Sequence, residues 1–530
     1  MSVRFFMTSD ELFDNLAPMR LSVPLLLAAT LLAISCGGPP RPDTGTIVIA
    51  IESGPGTLDP RLASDAYSSR LSALISNGLM TQDRNGRLVP DLAERVETPD
   101  PRTFVFHLRR DVRFQNGAPF TSADVAYTIS SIVDEKTRSP RRADFKRIES
   151  VETPDPHRVV IRLSAPFAPF LTAAVTGIVP KDLGGLTPEE FGRAPIGTGP
   201  YRVTRWETNS SVVLEANTDY FGEAVRIPRA IFKIVPNDTT RVLELRKGTV
   251  DLVQNAIPAH AVALLEADPE ISFVRRPGIN FSYLGFNLED PVLKNRAVRA
   301  AIAHAIDRDA IIEHVLEGLA TPAKELLAPS NWAYTEDVES YPYDPGKARA
   351  ILDEAGYPVT GSGSRFQLTY KTSTNKERVH IAEAIVQFLK EVGIDTKLRS
   401  LEFGTLYADV KDGNFQMYSL TWVGITDPDI LHYAFHSESV PDNGANRGRY
   451  RNPRLDDLVE RARVTTKEGE RKKLYAEALR IIAKDLPYVP LWYATDIAAI
   501  RKRVRDYRPW LGGDLRGILS AWIAGTAEGE

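Results

Sequence analysis

The chain of 530 residues holds one cysteine, Cys36. A single thiol cannot close an internal disulfide, and a cluster of thiolate metal ligands is excluded. An excess of either charge is also missing, with 65 lysines and arginines against 69 aspartates and glutamates. Basic runs such as Arg109-Arg110 and Arg501-Lys502-Arg503 are short, so no basic field is offered to nucleic acid. The apolar run Leu21 to Ile34 is interrupted by Ser22, Pro24 and Thr30 and is shorter than the ~20 residues a spanning helix needs. Signatures of catalysis are lacking too: there is no phosphate-binding loop, no G-x-S-x-G, no H-E-x-x-H and no EF-hand loop. Serines, histidines and aspartates are present but scattered, as in any long chain. A secreted hydrolase is therefore a weak alternative, and neither a cofactor nor covalent chemistry is expected.

The apolar run fits the central region of a secretory signal, with small residues after it. The string Ala33-Ile34-Ser35-Cys36 resembles a bacterial lipobox, which implies cleavage before Cys36, acylation of its thiol and attachment to a membrane surface. The alternative is an ordinary signal with an incidental cysteine. Asp10, Glu11 and Asp14 stand where a signal carries positive charge, so Met19 is the expected start. Residues 37–45 are rich in proline and glycine and read as a tether.

A length of 530 residues calls for more than one core. Pro195-Ile196-Gly197-Thr198-Gly199-Pro200-Tyr201 predicts a tight turn feeding a strand that ends near Trp206. Gly197 and Gly199 are expected to adopt backbone angles closed to other residues. Thr208-Asn209-Ser210 turns the chain and Ser211 to Ala216 returns as a strand, followed by the loop Asn217-Thr218-Asp219-Tyr220-Phe221-Gly222. The residues alone support only a hairpin. The whole string resembles the signature of the bacterial extracellular solute-binding proteins of family 5, the dipeptide-, oligopeptide- and nickel-binding receptors of ABC importers. Further strings resemble that family: Leu58-Asp59-Pro60, Leu88-Val89-Pro90-Asp91-Leu92-Ala93, Val298-Arg299-Ala300-Ala301-Ile302 through Ala305-Ile306-Asp307-Arg308, and Asn452-Pro453-Arg454-Leu455-Asp456-Asp457-Leu458. The likeness runs from about Thr46 to Leu511.

The resemblance implies an α/β, two-lobed periplasmic-binding-protein fold of type II, with an extra subdomain in the first lobe. The expected division is 46–78, 195–280 and 490–523 for the first lobe, 79–194 for the subdomain and 281–489 for the second lobe. Periodicity supports the pieces. Thr46 to Ile51, Thr103 to Leu108 and Arg158 to Leu163 read as strands. Thr121 is a plausible cap for a helix over about 123–132, and Asp238 for one ending before Gly248. Asn295 to Gly318 reads as one helix. Asp344 caps a helix begun by Pro345 and ended by Gly356. Strands and helices alternate from Phe366 to Trp422, so a ligand is expected beyond a strand end. A helix over about 467–485 precedes a strand at Pro487 to Leu491. Hinges are expected near Pro277 to Asn287 and Pro487 to Leu491.

The resemblance places ligand contacts at Ser53, Tyr283, Trp422, Val423, Gly424 and Asp427. In peptide-binding members the stretch after the tryptophan pairs its main chain with an extended peptide. Many of them place an aspartate three residues on, which holds the ligand's ammonium. Here that position is Ile425. Asp427 either replaces the missing carboxylate or caps the turn before Pro428, and both readings stay open. His432 and His436 have a metal-ligand spacing on a helix, but their aromatic surroundings fit packing and further ligands are not evident. The expected partners are a peptide or similar solute, the subunits of an ABC permease and a membrane reached through the lipid anchor. The expected state is a monomer in the periplasm or on the outer face of the membrane.

Overall fold

The computed structural model describes residues 45–361 and 363–524. Cys36, the apolar run before it and all of the tether except Gly45 lie outside the described residues. The described residues group into one unit by their contacts, and a single mixed sheet runs through both lobes.

Thr46–Ile51 is buried at all six positions, as an apolar β-branched run must be when both faces of its sheet are covered. It pairs in parallel with Arg229–Ile234 and Leu252–Gln254. From one edge the sheet runs Ile394–Leu401, Phe366–Ser373, Met417–Trp422, Ile271–Phe286, Tyr488–Arg501, Leu252–Gln254, Thr46–Ile51, Arg229–Ile234, Ser211–Ala216 and Tyr201–Glu207. The two strands at its middle are the longest, 16 residues for Ile271–Phe286 and 14 for Tyr488–Arg501. They pair antiparallel from Ile271↔Arg501 to Gly285↔Tyr488, with register shifts between Pro277 and Phe281 and between Ser282 and Tyr283. Pro487 to Leu491 is thus the entry to a crossing strand much longer than the short return its residues suggest.

The second lobe carries the expected β-α-β-α-β order. Phe366–Ser373 is parallel to both Ile394–Leu401 and Met417–Trp422. The intervening helices Lys376–Glu391 and Phe403–Asp412 are capped by the side chains of Asn375 and Glu402. A separate antiparallel sheet of Ala93–Asp100, Thr103–Leu108, Arg158–Leu163 and Ile148–Asp155 forms the extra subdomain. Its helix, Ser122–Val133, covers a core containing Phe104, Phe106, Phe120 and Phe170.

Two local expectations change. The stretch 295–318 is two helices, Arg296–Ala305 and Arg308–His314. The Asp307 side chain accepts from Ala310 N at 2.9 Å and so caps a new helix rather than continuing the old one. Upstream, Asn237 and not Asp238 is the cap: its Oδ1 accepts from Thr240 N at 2.9 Å, while Asp238 pairs with Arg241.

The hairpin forms as expected, but its glycines serve a different end. Neither Gly197 nor Gly199 adopts a left-handed backbone. What matters is the missing Cβ. A Cβ on Gly197 would lie 1.9 Å from the Ile75 carbonyl oxygen, and one on Gly199 2.5 Å from the Ile75 carbonyl carbon. The C-terminus of helix Ala66–Ile75 is seated directly on the turn. Gly199 N donates to Ile75 O at 2.8 Å, and Gln115 N of the subdomain donates to Gly197 O at 2.9 Å. Thr198, fully buried, exchanges hydrogen bonds with Asn77. The signature is therefore a three-way joint of helix, hairpin and subdomain. Gly197→Ala should lower stability by about 1–3 kcal/mol through overpacking, measured by urea unfolding. Gly469→Ala, whose Cβ would meet nothing within 4 Å, should be neutral or slightly stabilising. Equal effects in the two variants would show that close approach at Ile75 is not the reason for Gly197.

Candidate functional site: the interlobe cleft

A cavity of about 690 Å³ opens between the lobes. Its first-lobe side presents Glu52, Tyr67, Arg70 and Asn255. Its base is formed on the crossing strands by Ser282, Tyr283, Trp492 and Asp496, and its second-lobe side by Phe403, Tyr407, Ser419 to Val423 and Arg447. A smaller cavity of about 350 Å³ sits where the subdomain meets the C-terminal segment, lined by Asn77, Asp91, Tyr220 and Arg516 among others, and it takes no residue from the second lobe. The larger cavity lies between the lobes, where hinge motion would open and close it, and is the candidate ligand site.

The strand Met417–Trp422 shapes the second-lobe side. Along one edge all six residues pair with Phe281–Phe286. Along the other, pairing with Phe366–Ser373 is confined to Met417 and Tyr418. From Ser419 onward that edge pairs with no strand among the described residues, and Ser419 to Val423 all lie on the cavity wall. Val423 is 63% exposed and Phe403 55%, so the mouth of the cleft shows apolar side chains to water.

Charge in the cleft is mixed. Asp496 is buried, accepting from Asn255 Nδ2 at 2.9 Å and from Gly512 N at 3.1 Å. Burial raises its pKa above the ordinary carboxylate value. Arg70 donates to Gly512 O at 3.0 Å and lies over the Tyr67 ring. Arg447 is only 7% exposed. Its guanidinium lies 4.9 Å from the Trp422 ring centroid and 5.4 Å from that of Tyr407. It donates to the hydroxyls of Tyr283 at 3.0 Å and Tyr407 at 3.4 Å.

Residues 87–441 match the family described as bacterial extracellular solute-binding proteins, family 5. The chain belongs to that family. It is 27% identical over 493 residues to the dipeptide-binding protein of Escherichia coli, covering 87% of this chain and 92% of that protein. It is 30% identical over 505 residues to the glutathione-binding protein GsiB of Salmonella choleraesuis, covering 92% and 96%. Among solved structures, NikZ of Campylobacter jejuni in complex with Ni(L-His) superposes with a TM-score of 0.78 at 26% identity, covering 91% of this chain and all of that one. The two-lobed fold expected from the motifs is the fold of these neighbours.

Within this family-5 protein the residues expected at the ligand are divided. Tyr283, Trp422 and Val423 lie together on the cavity wall. Gly424, Asp427 and Ser53 are not among its lining residues. Ser53 is exposed beside Glu52, which does line it. Gly424 donates its N–H to Asn280 Oδ1 at 3.0 Å. Asp427 is committed elsewhere: Oδ2 accepts from Thr172 of the subdomain at 3.1 Å, Oδ1 accepts from Asp429 N at 2.8 Å, and Arg471 lies 3.8 Å away. Ile425 is 7% exposed and belongs to an apolar core of the second lobe. Neither Ile425 nor Asp427 lines the cavity in this geometry. Leu58-Asp59-Pro60 is off the wall of the larger cavity, and Pro60 lines the smaller one. Asp59 is fully buried in an ion pair with Arg61.

His432 and His436 stack with centroids 4.4 Å apart, and both are occupied. Arg463 Nη1 donates to His432 Nε2 at 2.9 Å. His436 Nε2 donates to Glu460 at 3.1 Å, and its Nδ1 accepts from Glu438 N at 3.1 Å. Burial, with Arg463 adding to it, pushes the His432 pKa down to about 3. Among the described residues no group of three or more His, Cys, Asp or Glu side chains is placed to hold a metal. The residues that sequence reasoning missed are Arg447, Asp496 and Asn255. Arg447 sits in a polar loop, whereas Asp496 and Asn255 are isolated polar residues in or beside apolar strands, and their link to each other spans 241 residues.

Proposed function

We propose that this protein captures peptides in the interlobe cavity and delivers them to the permease of an ABC importer. The observation that carries the reading is the open edge of Ser419 to Trp422. An extended peptide satisfies such an edge by adding itself as a strand, and its side chains then reach the apolar mouth at Phe403 and Val423. The names of the dipeptide- and glutathione-binding relatives favour the same ligand class. Tyr283, Trp422 and Val423 are the wall it touches. The crossing strands flex near Pro277 to Asn287 and near Pro487 to Leu491, where the register shifts at Pro277 and Ser282 weaken the first of them. Closure of the second lobe, residues 281–489, onto the first buries the ligand, and the permease reads the closed form. No bond is made or broken. The protein works as a monomer, held at the outer face of the membrane by acyl chains on Cys36.

The test is thermal unfolding of purified protein with a pool of short peptides. Binding to the folded state stabilises it by about 2.7 kcal/mol at one hundred times Kd. Nickel(II)–histidine at equal concentration should leave the midpoint unchanged. A shift with the nickel chelate and none with peptides would overturn the reading.

A further inference from the structure

We infer that Arg447 is an anion receptor in the cleft and that the transported solute carries a carboxylate to it. The inference rests on the cleft being the solute site, as proposed above. Arg447 is more than nine-tenths buried and lies on the cavity wall. No carboxylate forms an ion pair with it among the described residues; its contacts are two tyrosine hydroxyls and two aromatic faces. A buried cation without a counterion is costly, and aromatic faces offset only part of that cost. Most buried arginines elsewhere in this chain are satisfied by carbonyls or carboxylates, as Arg61 is by Asp59. The hydroxyls that hold Arg447 do not neutralise it. They fix the guanidinium plane while leaving N–H groups free.

A second donor stands beside it. The indole Nε1–H of Trp422 is buried without an acceptor, on the same ring the guanidinium covers. A solute strand laid along Ser419 to Trp422 passes this pair. A guanidinium presents a planar fork that matches a carboxylate. The chemistry is therefore a carboxylate, supplied either by a peptide C-terminus or by an acidic side chain.

Calorimetry with Ala-Phe-Ala as free acid, Ala-Phe-Ala amide and Ala-Glu-Ala amide separates the two sources. The wild-type protein should bind one of the two acids about tenfold to a hundredfold more tightly than Ala-Phe-Ala amide, the range of a charge-assisted bond. Arg447→Met should abolish that preference, and Arg447→Lys should retain part of it. Preference for the free acid identifies the C-terminus, and preference for the glutamate amide identifies a side chain. If all three peptides bind the wild type equally, the anion receptor is refuted while peptide capture stands. If no peptide binds but 3-phenylpropionate does, and Arg447→Met abolishes that binding, peptide capture fails and the receptor stands. A preference that survives in a folded Arg447→Met protein overturns it. Arg70 and Arg378 also line the cavity, so Arg70→Met and Arg378→Met should keep the preference that Arg447→Met removes. Equal binding of acid and amide by the wild type refutes the receptor even if the variants do not fold.

Discussion

Glu325→Gln should leave stability nearly unchanged at pH 4.5 and raise it by about 4 kcal/mol at pH 9. Glu325 is 4% exposed in the second lobe. Its Oε1 accepts from Thr335 N at 2.9 Å, and Oε2 has no partner. Burial pushes its pKa from an ordinary 4.5 up to about 8. In the unfolded chain the group ionises near 4.5, so between pH 4.5 and 8 the native state holds a proton that the unfolded state has lost. Stability therefore falls as pH rises through that window. A shift of 8 − 4.5 = 3.5 units, at 1.36 kcal/mol per unit, sets an upper limit near the figure given. Glutamine keeps the acceptor for Thr335 and never ionises. It leaves one unpaired polar group, as the protonated acid does, so the two chains should match in acid. Comparison of the two proteins is needed rather than one pH scan. Asp429, raised to about 6 by burial, and His432, lowered to about 3, titrate over overlapping ranges with opposite effects on stability. Urea unfolding at pH 4.5, 7 and 9 reads the effect. A gap between the proteins that fails to widen with pH would show that Glu325 is not held neutral.

What could be read from the sequence divides by the reach of the interactions. The cap at Asp344 was legible because donor and acceptor are three residues apart: Asp344 accepts from Lys347 N at 2.8 Å. The cap before Thr240 was read one residue late, because Asn237 and Asp238 are both capping types. The strands of the second lobe were legible too, since their alternation with helices admits few topologies. The site was legible only in outline. Trp422 and Tyr283 reach the cavity because each lies in a strand of fixed register. Beyond Trp422 the period is lost, and nothing local says that Ile425 turns into the core or that Asp427 reaches Thr172, 255 residues away in the chain. Arg447 was invisible for the same reason, since the Tyr283 that orients it lies 164 residues away. The glycines of the hairpin carry a related lesson. Glycine at a turn suggests unusual backbone angles, but here it answers a neighbour, Ile75, that only the folded chain brings near.

Arg299→Met should cost about 4 kcal/mol, although Arg299 touches no ligand and no acidic side chain. It stands in the motif Val298-Arg299-Ala300-Ala301-Ile302, where a charge on a buried helix face looks out of place. The guanidinium is 5% exposed. Nε donates to Leu486 O at 3.0 Å, Nη1 to Leu293 O at 2.7 Å and Lys294 O at 3.0 Å, and Nη2 to Asp485 O at 2.5 Å. Burial lowers its pKa to about 10, which still leaves it charged at neutral pH. One side chain thus satisfies carbonyls at the start of its own helix and at the end of the helix Glu468–Asp485. That second helix stops in a left-handed residue, Leu486, with φ 54°. The crossing strand begins two residues later at Tyr488, whose ring stacks on Tyr283 at 4.0 Å. Methionine fills similar space and donates nothing. Several carbonyls would lose their donor at about 1–3 kcal/mol each when left unsatisfied, and partial access of water at Lys294 and Asp485 keeps the sum below the simple total. Arg299→Lys should lie between, because a single ammonium cannot span both helix ends. The measurement is the urea midpoint at unchanged slope. A loss under about 1 kcal/mol would mean that these carbonyls find water and that the motif's arginine is not what joins the second lobe to the crossing strand.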